Sequence, residues 1–478
     1  MLLHSDRCSS VKLLNYHDVR ERSGGRGYNV SYDNRSFIID SQRTLLLSGA
    51  VHYPRVDVGD WSTVLRLMYE DGLNAVQTYL YWNLHQSEMG GKYDLSGNND
   101  WLQFVQEARD AGLFVVLRIG PFVASEWDYG GIPHWIRDIP NVYVRSNNSQ
   151  WETAMRKFFL DMVELARPLT APHGGPIILG QVENEFRWLD QAYIDWCGDL
   201  VKEAATEIPF LMCNGFSAAN TINTYNGNDG ALYADAHSKL YPGQPLAWTE
   251  NEGWFQEWDR EPLSGRDNRT PQDMAYVVMK WFARGGAHHN YYMWYGGNNF
   301  GRLTGSCITT MYADGVNLHY DMLANEPKKT HLSKLHDLLD TYSLSLLTNP
   351  SQVDNATKVL VYSESQHKFV NATYQFAYVY TASGQGVAFL ENSVNTTALV
   401  QFRETNFSLP GLSSSLVDLS TPDRATEVYN SAKVHSEGLP TKRTYATLSG
   451  KFPWSVWAEN VGQLDGAFAA GRPLEQLN

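Results

Sequence analysis

The 478-residue sequence predicts an α/β architecture, a (β/α)8 TIM barrel followed by a smaller antiparallel all-β domain. Three observations carry this. From about residue 37 to 340, eight short apolar runs alternate with amphipathic stretches, the pattern of a parallel sheet covered by helices. Beyond about residue 345, apolar and polar residues alternate one by one between Asn, Gly and Ser turns, as in antiparallel strands with one wetted face. Hydrophobic residues make up 43% of the chain and charged ones 19%, enough apolar material for a large core and too little charge for a disordered chain.

The eight runs are TLLLSGAVHY (44–53), AVQTYLYW (75–82), FVVLRIGPF (114–122), PIILGQVENE (176–185), PFLMCNG (209–215), INTYNG (222–227), PLAWTENEG (245–253) and HNYYMWYGG (289–297). After Asp100, a suitable N-cap, Trp101, Phe104, Val105, Ala108 and Ala111 recur at helical spacing, and Gly112 stops the helix. Thr270 followed by Pro271 starts another helix, because proline's missing N–H costs nothing in the first turn. The gap at 216–221 is too short for an ordinary helix, so the unit between the fifth and sixth runs is irregular. Strands of the second domain are KVLVYSE (358–364), YQFAYVYTA (374–382), GVAFLEN (386–392) and ALVQFRE (398–404). The expected organisation is an N-terminal extension (1–27), the barrel (28–344), the β domain (345–436) and a connecting segment (437–478).

A formal charge of −14 would repel a phosphate backbone, which argues against nucleic acid as the partner and suits a neutral ligand. The 15 Trp, 27 Tyr and 19 Phe are the side chains that stack on sugar faces, although large cores use them too. Four cysteines, Cys8, Cys197, Cys213 and Cys307, are too few for a disulfide scaffold. Eight N-x-S/T sequons start at Asn29, Asn34, Asn147, Asn268, Asn355, Asn371, Asn395 and Asn406 and favour the secretory route. The first 25 residues show no apolar signal core, and no run is long enough for a membrane helix.

Barrel chemistry sits at the C-terminal ends of strands. The carboxylates there are Glu126, Glu183, Glu185, Glu250 and Glu252. Strand alternation puts Glu183 and Glu185 on one face and leaves the choice between them open, as it does between Glu250 and Glu252. Two opposed glutamates in aromatic-rich loops, with no HExxH, P-loop, GxSxG or GxGxxG motif, point to glycoside hydrolysis without metal or organic cofactor. His52, His288 and His289 read as core or loop histidines rather than metal ligands.

The segments LLLSGAVHYPR, DGLNAVQTYLYWNLHQ, VLRIGPFVASEWDYGGIPHWI, GGPIILGQVENEF, PLAWTENEGWF and NYYMWYGGNNFGR resemble the family 35 glycoside hydrolases, the β-galactosidases, and most closely the plant-type members. The resemblance covers nearly all of residues 28–340. It implies a retaining exo-β-galactosidase with Glu185 as acid/base, Glu250 as nucleophile, and Asn184 on the sugar's 2-hydroxyl. It also implies that Tyr79, Glu126, Tyr292 and Tyr312 bind or line the sugar site. A retaining pair requires about 5–5.5 Å between its carboxyls, with Glu250 ionised and Glu185 protonated. A β-galactoside is then the partner, in a secreted, cell-wall, vacuolar or lysosomal setting.

The chain departs from the family pattern at several points. PFVASEW replaces PYVCAEW, MYADGVN replaces SYDYDAP with Asp314 at an expected tyrosine, and INTYNG lacks the cysteine of INTCNG, so a bridge from Cys213 is not expected there. The nucleophile segment is one residue shorter than WTENWTGWF. The end, PLEQLN, resembles the start of the family's jelly-roll region, so a continuation, or a short form, is expected. Two alternatives stay open, an exo-β-glycosidase for a glucosamine-type sugar and a carbohydrate-binding protein without turnover.

Overall fold

The computed structural model describes residues 13–214, 217–253, 269–301, 303–305, 311–312, 317–319, 321–348, 357–382, 384–421 and 424–436. The chain enters through a helix, Tyr16–Ser23, capped by Asn15 and packed by Tyr16 and Val19. A small antiparallel sheet follows, β1 (Val30–Tyr32), β2 (Phe37–Ile39) and β3 (Gln42–Thr44). Eight parallel strands then close into a barrel: β4 (Leu46–Val51), β5 (Ala75–Tyr79), β6 (Phe114–Gly120), β7 (Ile177–Val182), β8 (Phe210–Cys213), β9 (Ile222–Gly227), β10 (Ala247–Glu252) and β11 (His288–Tyr295). Each of the eight apolar runs holds one strand, and β11 pairs back onto β4. Strands β4 to β7 and β11 are buried along their whole length, which is why they read as continuous apolar text.

The helical signals act as their chemistry requires. Asp100 accepts from the Gln103 N–H at 3.0 Å and starts Trp101–Asp110, whose Trp101, Phe104, Val105 and Ala108 are buried. Thr270 accepts from the Asp273 N–H at 3.2 Å and starts Pro271–Ala283. Between β8 and β9 the described residues 217–221 form no helix. That segment lies directly on the helix Gln191–Glu203, where a side-chain carbon at Gly198 would stand 2.4 Å from the Ala219 carbonyl oxygen. The two strand ends are stapled by reciprocal amide bonds, Asn214 Nδ2 to the Asn226 carbonyl at 2.8 Å and the Asn226 N–H to Asn214 Oδ1 at 2.9 Å.

After the barrel, β12 (Thr357–Ser363), β13 (Lys368–Ala382), β14 (Gln385–Asn392), β15 (Ala398–Phe402), β16 (Thr405–Leu409), β17 (Ser413–Asp418) and β18 (Thr426–Asn430) form one antiparallel sheet in the order β16-β15-β12-β13-β14-β17-β18. Period-two alternation divides its faces. Val387 and Phe389 join the barrel's core, while Ala388 and Leu390 belong to a separate cluster on the other side. The barrel-facing side lies against the helix Pro271–Ala283, where the Tyr380 hydroxyl donates to the Ala283 carbonyl at 2.8 Å. Arg284, just past that helix, donates to Glu391 of β14 at 2.9 Å, with side-chain exposures of 11% and 3%. No helix among the described residues is long and apolar enough to cross a membrane.

Removing one member of a buried ion pair strands the other's charge, at a cost of about 3–5 kcal/mol. Glu391→Ala is expected to destabilise the chain by about 3 kcal/mol in denaturant unfolding. Glu70→Ala, which breaks only the exposed pair of Arg66 and Glu70 one helical turn apart, should leave the unfolding midpoint in place.

Candidate active site

The site is built on a cation inside the barrel. Arg118 of β6 lies in register between Tyr79 of β5 and Gln181 of β7, and it is 1% exposed. Burial works against its charge, yet Tyr79 and Glu250 outweigh it and hold the guanidinium above its ordinary pKa. Arg118 donates to the Tyr79 oxygen, to Glu250 Oε1 and to Asn184 Oδ1. Sequence reasoning passed over this residue. Its signal was present as a lone cation within FVVLRIG, an otherwise apolar buried strand.

Glu250, on β10, is 7% exposed. Burial pushes its carboxyl up to about 7; Arg118 opposes that, and the neighbouring Glu185 and Glu252 add to it. The Tyr79 hydroxyl donates to Glu250 Oε1 at 3.2 Å, and the Trp248 indole holds the Glu250 carbonyl at 2.7 Å. Tyr79 is itself 0% exposed, its phenol engaged by Glu250, Arg118 and Gln77.

The turn after β7 corrects the alternation argument. Strand geometry ends at Val182, and Glu183 and Glu185 adopt left-handed backbone with φ of 60° and 48°, so period two no longer governs their side chains. Glu183 points into the core, where Arg145 grips it with two N–H groups at 3.1 and 2.8 Å and Tyr193 donates at 2.9 Å. Glu185 faces the other way, toward Glu250. Its carboxylate accepts from Asn214 Nδ2 at 3.2 Å and from Arg187 at 3.3 Å. Between them, Asn184 turns Oδ1 toward Arg118 and the Cys213 thiol, which fixes the amide orientation. The Asn184 NH2 group has no acceptor among the described residues and is free to donate.

One oxygen each of Glu185, Glu250 and Glu252 lies within 4.8 Å of the other two. That closeness belongs to carboxyls that act directly on one atom; about 6.5–9.5 Å would leave room for an intervening water. Glu252 is pushed up to about 7 by burial, then by Glu185 and Glu126. A metal ion here would have these three as ligands, but the Arg118 guanidinium already supplies the positive charge against Glu250. His52, His288 and His289 are core residues. His52 accepts from Arg55 at 2.6 Å, His288 meets Ser48 at 2.8 Å and His289 meets Asn251 at 2.9 Å. Burial pushes His288 down to about 3.

Glu126 arrives on a loop whose residues Ala124, Ser125 and Glu126 are all left-handed, with φ of 52°, 57° and 45°. Buried Arg55 anchors that loop by donating to the Ser125 carbonyl at 2.8 Å and lies 3.6 Å over the Tyr312 ring. Tyr312 donates to Glu126 Oε2, so its bond with Tyr292 is donated by the Tyr292 hydroxyl. Burial raises Glu126, with Tyr312 and Arg55 opposing.

Among the aromatic residues near the strand ends, Trp127, Phe186 and Trp248 are buried at 3%, 2% and 0% exposure, and Trp188 is 69% exposed. Trp254, Phe255, Asp314 and the shortened loop after Gly253 lie outside the described residues. Cys213 and Cys197 are free thiols, in keeping with the missing cysteine of INTYNG.

With this geometry in hand, comparison with known proteins is specific. The sequence profile of the glycosyl hydrolases family 35 matches residues 36–341. Beta-galactosidase 10 of Arabidopsis thaliana is 36% identical over 451 residues, 91% of this chain and 57% of that protein. Probable beta-galactosidase 2 of Dictyostelium discoideum is 39% identical over 330 residues, 67% of this chain and 43% of that protein. The chain thus spans about half the length of the curated relatives it matches. A solved structure described as a glycoside hydrolase shares the fold with a TM-score of 0.51 at 12% identity, over 85% of this chain and 92% of that one.

Glu252 supplies a pH-dependent stability test. A carboxyl raised above its ordinary value favours folding in its protonated form, so its contribution is full below about 4.5 and is lost as pH rises through about 7. Glu252→Gln should match the parent's thermal midpoint at pH 4 and exceed it at pH 8. The gain, discounted for solvent screening, should be about 1 kcal/mol. An unchanged difference between the two pH values would contradict this.

Proposed function

The chain belongs to the glycosyl hydrolases family 35, and on that premise we propose that it is a plant-type retaining exo-β-galactosidase. It removes terminal non-reducing β-D-galactose from oligosaccharides, polysaccharides or glycoconjugates. The observation that carries this reading is the approach of the Glu185 and Glu250 oxygens to within 4.8 Å at the C-terminal end of the barrel. The names of the relatives supply the sugar.

In the first step Glu250 attacks the anomeric carbon while Glu185 gives its proton to the glycosidic oxygen, whose bond to that carbon breaks. In the second, Glu185 takes a proton from water as the water oxygen bonds to the anomeric carbon and Glu250 leaves. Arg118 and Tyr79 both donate to Glu250 Oε1 and favour its ionised form against the burial that raises its carboxyl to about 7, which supports Glu250 as the nucleophile, active as its protonated fraction falls toward and above neutral pH. The unspent NH2 of Asn184 suits a sugar hydroxyl as acceptor, and the Glu126 carboxylate, oriented by Tyr312, suits hydroxyl donors. Tyr292 and Tyr312 complete that side of the pocket. The engaged phenol of Tyr79 supports a role in orienting Glu250 alongside any contact with sugar.

The sequon asparagines Asn29, Asn34, Asn147, Asn371, Asn395 and Asn406 are all exposed, which supports a glycoprotein of the secretory route acting outside the cell or in a vacuole. Glycans on Asn371 or Asn395 of native material would bear this out, and their absence from all six sites would count against it.

Mass spectrometry after incubation with a 2-deoxy-2-fluoro-β-galactosyl fluoride should find the adduct on Glu250. A glucosamine analogue labelling Glu250 in preference would shift the sugar to the glucosamine type, and folded protein with neither adduct nor turnover would be a binding protein. Glu185→Ala should slow substrates with poor leaving groups by about 10²–10⁴ and affect activated aryl galactosides far less, because only the former need the proton.

A further inference from the structure

Four of the five strand-end carboxylates have donors: Glu183 has Arg145 and Tyr193, Glu250 has Arg118 and Tyr79, Glu185 has Asn214 and Arg187, and Glu126 has Tyr312. Among the described residues Glu252 has none; its side chain makes no hydrogen bond or ion pair with any of them. Two cations act on it from a distance, without a hydrogen bond to its carboxylate. Arg187 donates to Glu185, and Arg269 donates to Asp273, to Asn251 and to the Glu252 carbonyl. A half-buried carboxyl without a donor is costly. A ligand rich in hydroxyls would supply one.

Depth in the pocket says which part of the ligand. Glu250 is the buried member of the cluster, whereas Glu185 and Glu252 are both partly exposed to solvent. In an exo-acting pocket the galactose occupies the floor and the departing unit the mouth, where Glu185 must reach the glycosidic oxygen. A Glu252 oxygen within 4.8 Å of a Glu185 oxygen therefore stands beside the hydroxyls that flank that glycosidic oxygen on the next unit.

Resting on the galactosidase reading, we propose that Glu252 is a specificity residue for the departing unit: it accepts a hydrogen bond from a hydroxyl of the sugar next to the galactose and disfavours a uronate there. Around neutral pH it holds a proton part of the time, so it can also donate to that unit.

The test compares kcat/KM for lactose and for 4-nitrophenyl β-galactoside, whose aglycone has no hydroxyl beside the scissile bond. Because Glu252 also acts on Glu250 whatever the substrate, the readout is the ratio: Glu252→Ala should lower kcat/KM for lactose about tenfold more than for the aryl galactoside, mainly through KM. Glu252→Gln, which keeps an accepting oxygen and the shape, should recover part of the lactose loss. Equal losses on the two substrates in both variants, or no loss on either, overturn the assignment while leaving the galactosidase reading intact. A parent enzyme that turns over neither substrate overturns both.

Discussion

A guanidinium sealed inside a parallel barrel must be neutralised by its surroundings, and the active-site end of this molecule is arranged around that requirement. Arg118 has no water to turn to, so the groups within its reach are fixed by it: the Glu250 carboxylate, the Tyr79 phenol and the Asn184 amide. One charge thereby orients residues from β5, β10 and the turn after β7. Such a pair adds little to net stability. Its value lies in geometry, since an ion pair in a dry site leaves Glu250 few alternative rotamers and keeps its charge where an anomeric carbon would sit.

A second layer of arginines does comparable work for the backbone. Six site residues that matter, or flank those that do, depart from ordinary φ: Ala124, Ser125, Glu126, Tyr129, Glu183 and Glu185. Left-handed non-glycine residues each cost of order 1 kcal/mol and persist only where the surroundings over-determine them. Here Arg55 holds the first loop through the Ser125 carbonyl, and Arg145 holds the second through Glu183 and the Asn184 carbonyl at 2.6 Å. The strain re-aims side chains that a regular strand would send into the barrel wall.

These departures explain what could be read in advance and what could not. The eight barrel strands were legible because they are buried along most or all of their length and flanked by turn residues, and the caps at Asp100 and Thr270 because their chemistry is local. Strands β16 to β18 escaped notice for a physical reason. They are five or six residues long, and β17 buries Ser413, Ser414 and Ser415, which read as loop. In the site, strand-end position found Glu185 and Glu250 but could not choose between neighbours, and the alternation rule misplaced Glu183 because the chain leaves the strand one residue earlier. Arg118 was visible as an anomaly and went unused, because a charge in an apolar strand is informative only when its partners come from other strands.

The amide staple between Asn214 and Asn226 has one more consequence. It joins the ends of β8 and β9, and Asn214 also reaches Glu185. Cys213, next in the chain, stays a free thiol that burial pushes up to about 12, wedged against Arg118 and Asn184. Correct placement of Glu185 therefore asks nothing of the redox potential of the compartment in which the chain folds. Reductants that would loosen a bridged loop leave this one as it was.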